Sequence, residues 1–140
     1  MKLKITLTTF LFIALISCKS QQFTLDNLPD KQLVFGKGGG VTGAVDTYVL
    51  LENGQLFHTN SLTKIEEELK KVSDDYTEEF FGKLEGLQLN NVDFNHPGNV
   101  YYFIEDVNAD ERAKVVWGSF EHGVNPVYKE LYDNLINQLK

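Results

Sequence analysis

Residues 36–44 read GKGGGVTGA, so five of the chain's eleven glycines fall within eight residues. Glycine at that density weakens regular structure and costs chain entropy on folding. The stretch is therefore a break, and its flanks say between what. Lys31 to Phe35 is a short apolar run. Ala44 to Leu51 is β-branched and aromatic. Both runs read as strands, which makes the glycine segment a crossover inside a β-rich region.

The rest of the chain extends that pattern. Asn53-Gly54 is the strongest short hairpin signal, and Gln55 to Thr59 returns as the next strand. Lys64 to Val72 fits either a helix, through Ile65, Leu69 and Val72, or an edge strand. Ser73 is a helix N-cap, with Asp74 and Asp75 where the helix dipole favours negative charge. Tyr76, Phe80, Leu84 and Leu87 then form one apolar face. Asn90 to Gly98 reads as loop, Asn99 to Ile104 as strand, and Val107 to Glu111 as turn. Arg112 to Trp117 is the strand's hairpin partner. Asn125-Pro126 opens a last helix with proline at its favoured first position, and Val127, Leu131, Leu135 and Leu139 repeat along it. Strand runs separated by one helix and closed by another predict a small single α+β domain. Its sheet is antiparallel, of about four to five strands, with two helices on one face.

The N-terminus carries an address. Lys2 and Lys4 precede an uncharged apolar run from Ile5 to Ile16, and Leu15-Ile16-Ser17-Cys18 follows. This is the layout of a secretory signal, too short for a span of ~20 residues. The ending LISC resembles the lipobox of bacterial lipoproteins. That resemblance implies cleavage after residue 17, lipidation of Cys18 and several acyl chains, enough for a stable tether. Lys19 stands where the usual inner-membrane retention signal has aspartate, which implies an outer-membrane location in the cell envelope. The expected organisation is a signal peptide at 1–17, a lipidated tether at 18–30 that becomes ordered near Pro29, and one domain at 31–140. Cys18 is the chain's one cysteine, so no internal disulfide forms. Losing Lys2 and Lys4 makes the formal charge of −7 more negative still. Such a surface repels nucleic acid and anionic head groups.

Motifs for chemistry fail on context. Gly38-x-Gly40-x-x-Gly43 matches the dinucleotide fingerprint, but that motif needs its last glycine to open a helix, and a strand follows here. A phosphate-cradling loop fails because Lys37 precedes the glycines. Asp106-x-Asn108-x-Asp110 begins like a calcium loop, yet its sixth and twelfth positions are Glu111 and Trp117, where glycine and glutamate belong. His58, His96 and His122 have no ligand spacing. Ser61, Ser73 and Ser119 sit in no nucleophile elbow. Glu66-Glu67-Glu68, Asp74-Asp75 and Glu78-Glu79 read as solvated faces. The expectation is no catalytic residue, no metal and no cofactor.

Several short motifs occur in a familiar order: Gly39-Gly40-Val41-Thr42-Gly43, then a helix ending near Leu87, Pro97-Gly98-Asn99-Val100-Tyr101-Tyr102, Val115-Val116-Trp117 and the proline-led helix. Together they resemble the emfourin-type small proteins, whose prototype inhibits thermolysin-like metalloproteases. This chain has Val41 where that group commonly has phenylalanine. The lipid anchor is a second departure from that group. The resemblance implies a non-catalytic module that binds a protein partner, and the lipobox implies that it is membrane-tethered; missing side chains make Lys37, Gly38, Gly39, Gly40, Thr42 and Gly43 a loop of bare backbone that a partner can approach closely. The alternative is a structural or accessory lipoprotein of an envelope complex, in which the glycine run is only a turn. An exposed apolar patch around the loop favours the first reading, and a buried loop the second.

Overall fold

A computed structural model describes residues 21–140. The signal segment and Cys18 lie outside the described residues. The elements run β1 (Lys31–Gly39), β2 (Val45–Leu51), β3 (Leu56–Asn60), β4 (Glu66–Glu68), α1 (Asp74–Leu87), a 3₁₀ turn (Leu89–Asn91), β5 (Asn95–His96), β6 (Val100–Asn108), β7 (Glu111–Trp117) and α2 (Pro126–Asn137). They form one α+β domain around a single seven-stranded sheet of order β4-β3-β2-β1-β6-β7-β5. Four to five strands understates it, and the sheet is mixed, because β5 pairs with β7 in parallel. The two extra strands are the shortest. β4 is three exposed glutamates, without the alternation that marks a strand. β5 is two residues within the expected 90–98 loop.

The helices start where their caps predict. Ser73 Oγ accepts from Tyr76 N at 3.5 Å, with Asp74 and Asp75 in the first turn of α1. Asn125 Oδ1 accepts from Val127 N at 3.1 Å, and Pro126 holds the first position of α2. The apolar faces are rotated from the expected ones. α1 buries Thr77, Phe80, Phe81 and Leu84, while Tyr76 stays exposed. α2 buries Tyr128, Leu131, Tyr132 and Leu135, and Val127 faces out. Two tyrosines widen the α2 face by one position, which the leucine repeat alone did not show.

Alternation along the strands sends side chains to two cores. Leu33, Phe35, Leu50, Leu56, Ile104, Val115 and Trp117 meet the helices. Val34, Val49, Leu51, Phe57, Phe103, Val107 and Val116 form the opposite face. Residues 21–30 cover part of that second face: Phe23, Leu25 and Leu28 pack on it. The hold is specific. Phe23 N donates to Gln55 Oε1 at 2.8 Å, and Gln55 Nε2 donates back to Phe23 O at 3.1 Å. From Gln21 onward the expected tether is thus packed chain, fixed well before Pro29.

Register sorts the loops onto two ends. Gly38 pairs with Val45 and Tyr101, Asp46 with Asn60, and Trp117 with Tyr102 and His96. The segments 40–44, 61–65, 97–99 and 118–125 therefore share one end, here called the tip. Lys31 pairs with Asn108, and Leu50 with Leu56, at the other end, the base. Asn53 Nδ2 donates to Gln21 O at 2.7 Å, so the chain enters at the base. The nine residues of β1 set the separation at about 30 Å.

Candidate functional site: an apolar loop tip

The glycine run divides into two parts. Gly36, Lys37, Gly38 and Gly39 belong to β1, so the strand runs through glycines where a loop was expected. The reason is crowding. A Cβ on Gly36 would lie 2.0 Å from Asp46 O, and one on Gly38 2.5 Å from the Tyr101 hydroxyl. These glycines let neighbouring strands close, and Gly38 is buried. The crossover proper is Gly40 to Ala44. Gly40 N donates to Asn99 O at 2.7 Å, and Gly39 N to Ala44 O at 3.2 Å. Thr42 Oγ1 accepts from Ala44 N at 3.3 Å, so its hydroxyl serves the turn itself.

Of the expected loop residues, Thr42 and Gly43 are exposed, Gly39 and Gly40 half-buried, and Lys37 exposed on the helix side of the sheet. The residue that protrudes most is Val41, with a relative exposure of 106 %. Sequence reasoning weighed it as a departure from a motif and missed it as the most exposed side chain of the loop. Phe120, at 105 %, was missed altogether. Both belong to one surface. The 40–44 turn is bonded to Asn99. The Gly98 and Gly118 backbones touch so closely that a Cβ on Gly98 would lie 2.2 Å from Gly118 O. Ser119 N donates to His96 O at 3.0 Å. Val100, Leu62 and Ile65 are also exposed at this end. Among the described residues, the three large apolar side chains most open to water, Val41, Phe120 and Leu62, thus lie on the tip loops. Tyr76 and Val127 are exposed at helix starts.

Beside the tip, on the helix side, lies a polar cluster. His58 Nε2 is 3.0 Å from Asp46 Oδ1, and Nδ1 is 3.0 Å from Glu67 Oε1. Asn60 Nδ2 donates to the same Asp46 oxygen at 2.8 Å. The imidazole stacks on Tyr48, centroids 4.7 Å apart, and Tyr48 stacks on Phe35. Hydrogen bonding from Asn60, reinforced by His58 and by the charge of Lys37, lowers the Asp46 carboxyl below its ordinary 3.8 against the pull of burial. Burial draws His58 down, but its hydrogen bonds to Glu67 and Asp46 outweigh this and hold it above 6.5. Both ring nitrogens are engaged, which leaves neither to take a proton from a substrate.

His96 and His122, far apart in sequence, stack with centroids 3.9 Å apart and planes within 4°. Their in-plane lone pairs run side by side and do not converge on a shared ion. Among the described residues no group of three or more His, Cys, Asp or Glu is placed to hold a metal. The calcium-like stretch is the β6–β7 hairpin, with Asp106 tied to Lys31 at 2.9 Å. A concavity of 1090 Å³ lies at the base between α1 and β7. Its lining includes Lys31 and Asp106, paired with each other, and Arg112, which reaches Glu105 at 2.8 Å.

No protein-family model matches the chain, and no curated protein matches it. Among the described residues no helix is long and apolar enough to cross a membrane.

Proposed function

We propose that the protein is a lipid-anchored, non-catalytic binding module that grips a protein partner with its tip. The observation that carries this reading is the exposure of Val41, Phe120, Leu62 and Ile65 on the loops of one end, with Val100 at the first residue of β6 beside them. Leaving such side chains in water forgoes burial worth about 1.5–3 kcal/mol each, and exposed apolar surface at one end is what a partner can cover. Phe120 and Val41 have the form of anchors, large or branched side chains that a partner's pockets can desolvate. The glycines beside Val41 let another backbone approach it.

Anchor and tip fit together in space. Gln21 lies at the base, and Cys18 is three residues earlier, within about 10 Å of chain. Acyl chains on Cys18 hold the base near the membrane and turn the tip about 30 Å outward. The partner then lies off the membrane surface, in the aqueous space the tip faces. The resemblance to protease inhibitors makes a secreted or envelope metalloprotease the first candidate. The accessory reading, with the glycine run as a mere turn, keeps its support from Gly36 and Gly38, which serve strand packing.

Capture of partners from native envelope and secretome by the wild-type protein, beside Val41→Asp plus Phe120→Asp, tests the proposal. Both side chains are fully exposed, so folding is expected to be unchanged by circular dichroism. The expected result is a stoichiometric partner held by the wild type and lost by the variant. Equal capture by both removes the tip from the functional account.

A further inference from the structure

β4 is the sheet's edge strand, three consecutive exposed glutamates paired with Phe57, His58 and Thr59. Like charges in a row resist being ordered, so something must offset them. Gln55 Nε2 binds Glu68 Oε1 at 3.0 Å. The other side-chain tie is His58 to Glu67, and its geometry matches the protonated ring. Each ring nitrogen faces a carboxylate oxygen at 3.0 Å. An imidazolium donates through both nitrogens, whereas a neutral imidazole has one N–H and must aim a lone pair at one carboxylate.

We infer that protonated His58 latches the acidic edge strand β4 onto the sheet, and that losing this proton releases β4 together with the 61–65 loop. Glu67 is the partner that lets go. Its side chain is half exposed, free to turn to water, whereas Asp46 is also held by Asn60. The charged and titratable groups around the ring are Asp46 and Tyr48 on β2 and Glu67 on β4. Acting through Asp46 are Lys37 on β1 and Tyr132 on α2. Burial raises both tyrosines above their ordinary value and Asp46 is lowered, so none of these three changes charge where a histidine does, between about pH 5 and pH 8. His58 is raised in the folded state. The latch is therefore fully present below the unfolded value of 6.5 and is lost as pH rises through the folded one. Leu62 and Ile65 ride on the released loop, so one rim of the tip becomes pH-dependent. That last extension rests on the tip's role in binding; the latch does not.

Hydrogen exchange of the full chain in detergent micelles, corrected for intrinsic rates, tests the latch without any partner. The reporters are the Asn60 amide, bonded to Ile65 O, and the Leu69 amide, bonded to Leu56 O. Between about pH 6 and pH 8.5, their protection is expected to fall about tenfold, the factor a charge-assisted hydrogen bond carries. Val116, bonded to Phe94 O across the sheet, is expected to stay constant. His58→Gln and Glu67→Gln are each expected to be weakly protected at every pH. PH-independent protection in the wild type, or an unchanged pH dependence in both variants, overturns the latch. Failed partner capture with an intact exchange profile counts against the tip alone.

Discussion

Two alanine substitutions four residues apart separate what the glycine run does for the fold from what it presents to solvent. Gly39 and Gly43 both have left-handed backbone, φ +90° and +65°. An alanine at either carries about 1–2 kcal/mol of strain, and the loss of unfolded-state freedom is the same for both. Their surroundings differ. A Cβ on Gly43 meets nothing within 4 Å, whereas one on Gly39 lies 2.1 Å from Asn99 O. That clash cannot be relieved by a rotamer, since the obstacle is backbone. Moving β1 from β6 adds about 1–3 kcal/mol of overpacking. It also loosens the bond from Gly40 N to Asn99 O, worth about 1 kcal/mol. Gly39→Ala is thus expected to cost roughly 3–6 kcal/mol, and Gly43→Ala about 1–2. Urea titration read by tryptophan fluorescence checks both, since Trp117 is in the core. At roughly 4 °C per kcal/mol, the two variants should melt about 8 °C or more apart. Melting within ~2 °C of each other refutes the packing argument.

Other perturbations follow from single contacts. Arg112→Ala leaves the buried Glu105 carboxylate without the guanidinium 2.8 Å away and is expected to cost about 1–3 kcal/mol. Arg112→Ala combined with Glu105→Gln should recover part of that in denaturant unfolding. Gln55→Leu removes the side chain that bonds Phe23 at both N and O, so limited proteolysis is expected to cut within 21–30 faster while the domain stays whole. Leu84→Ala, in the fully buried α1 face, is expected to lose about 2–5 kcal/mol by thermal unfolding. Cys18→Ala is expected to move the protein from the membrane fraction to the soluble one. Retention in the membrane would show that something other than lipid on Cys18 holds it.

Most of the architecture was legible because its signals are local. The Asn53-Gly54 turn, with Gly54 at φ +83°, the Ser73 and Asn125 caps, and Pro126 each fix an element end through chemistry within a few residues. Of the sheet's outer strands, β4 falls within the 64–72 stretch that fitted an edge strand as well as a helix, and β5 was not legible. β4 consists of glutamates held by cross-strand partners, and β5 pairs two residues with Val116 and Trp117; neither carries a pattern of its own. β1 runs into the glycines because Asp46 and Tyr101 press on it from neighbouring strands, a cause many residues distant. The tip was half visible. Its glycines stood out, but Val41 and Phe120 acquire meaning only when four loops meet at one end. His58 shows the same limit, since its carboxylates come from β2 and β4 and no spacing in the chain unites them.

The tip is proposed to meet a partner while the base faces the anchor. Photo-crosslinking in the native envelope addresses it most directly. A photoreactive residue replaces Val41 at the tip, or Glu85 beside the base groove, in the full-length chain. The account expects one discrete protein adduct from position 41 and none of that mass from position 85. A discrete adduct from position 85 with none from position 41 would contradict it, and would assign the contact surface to the base.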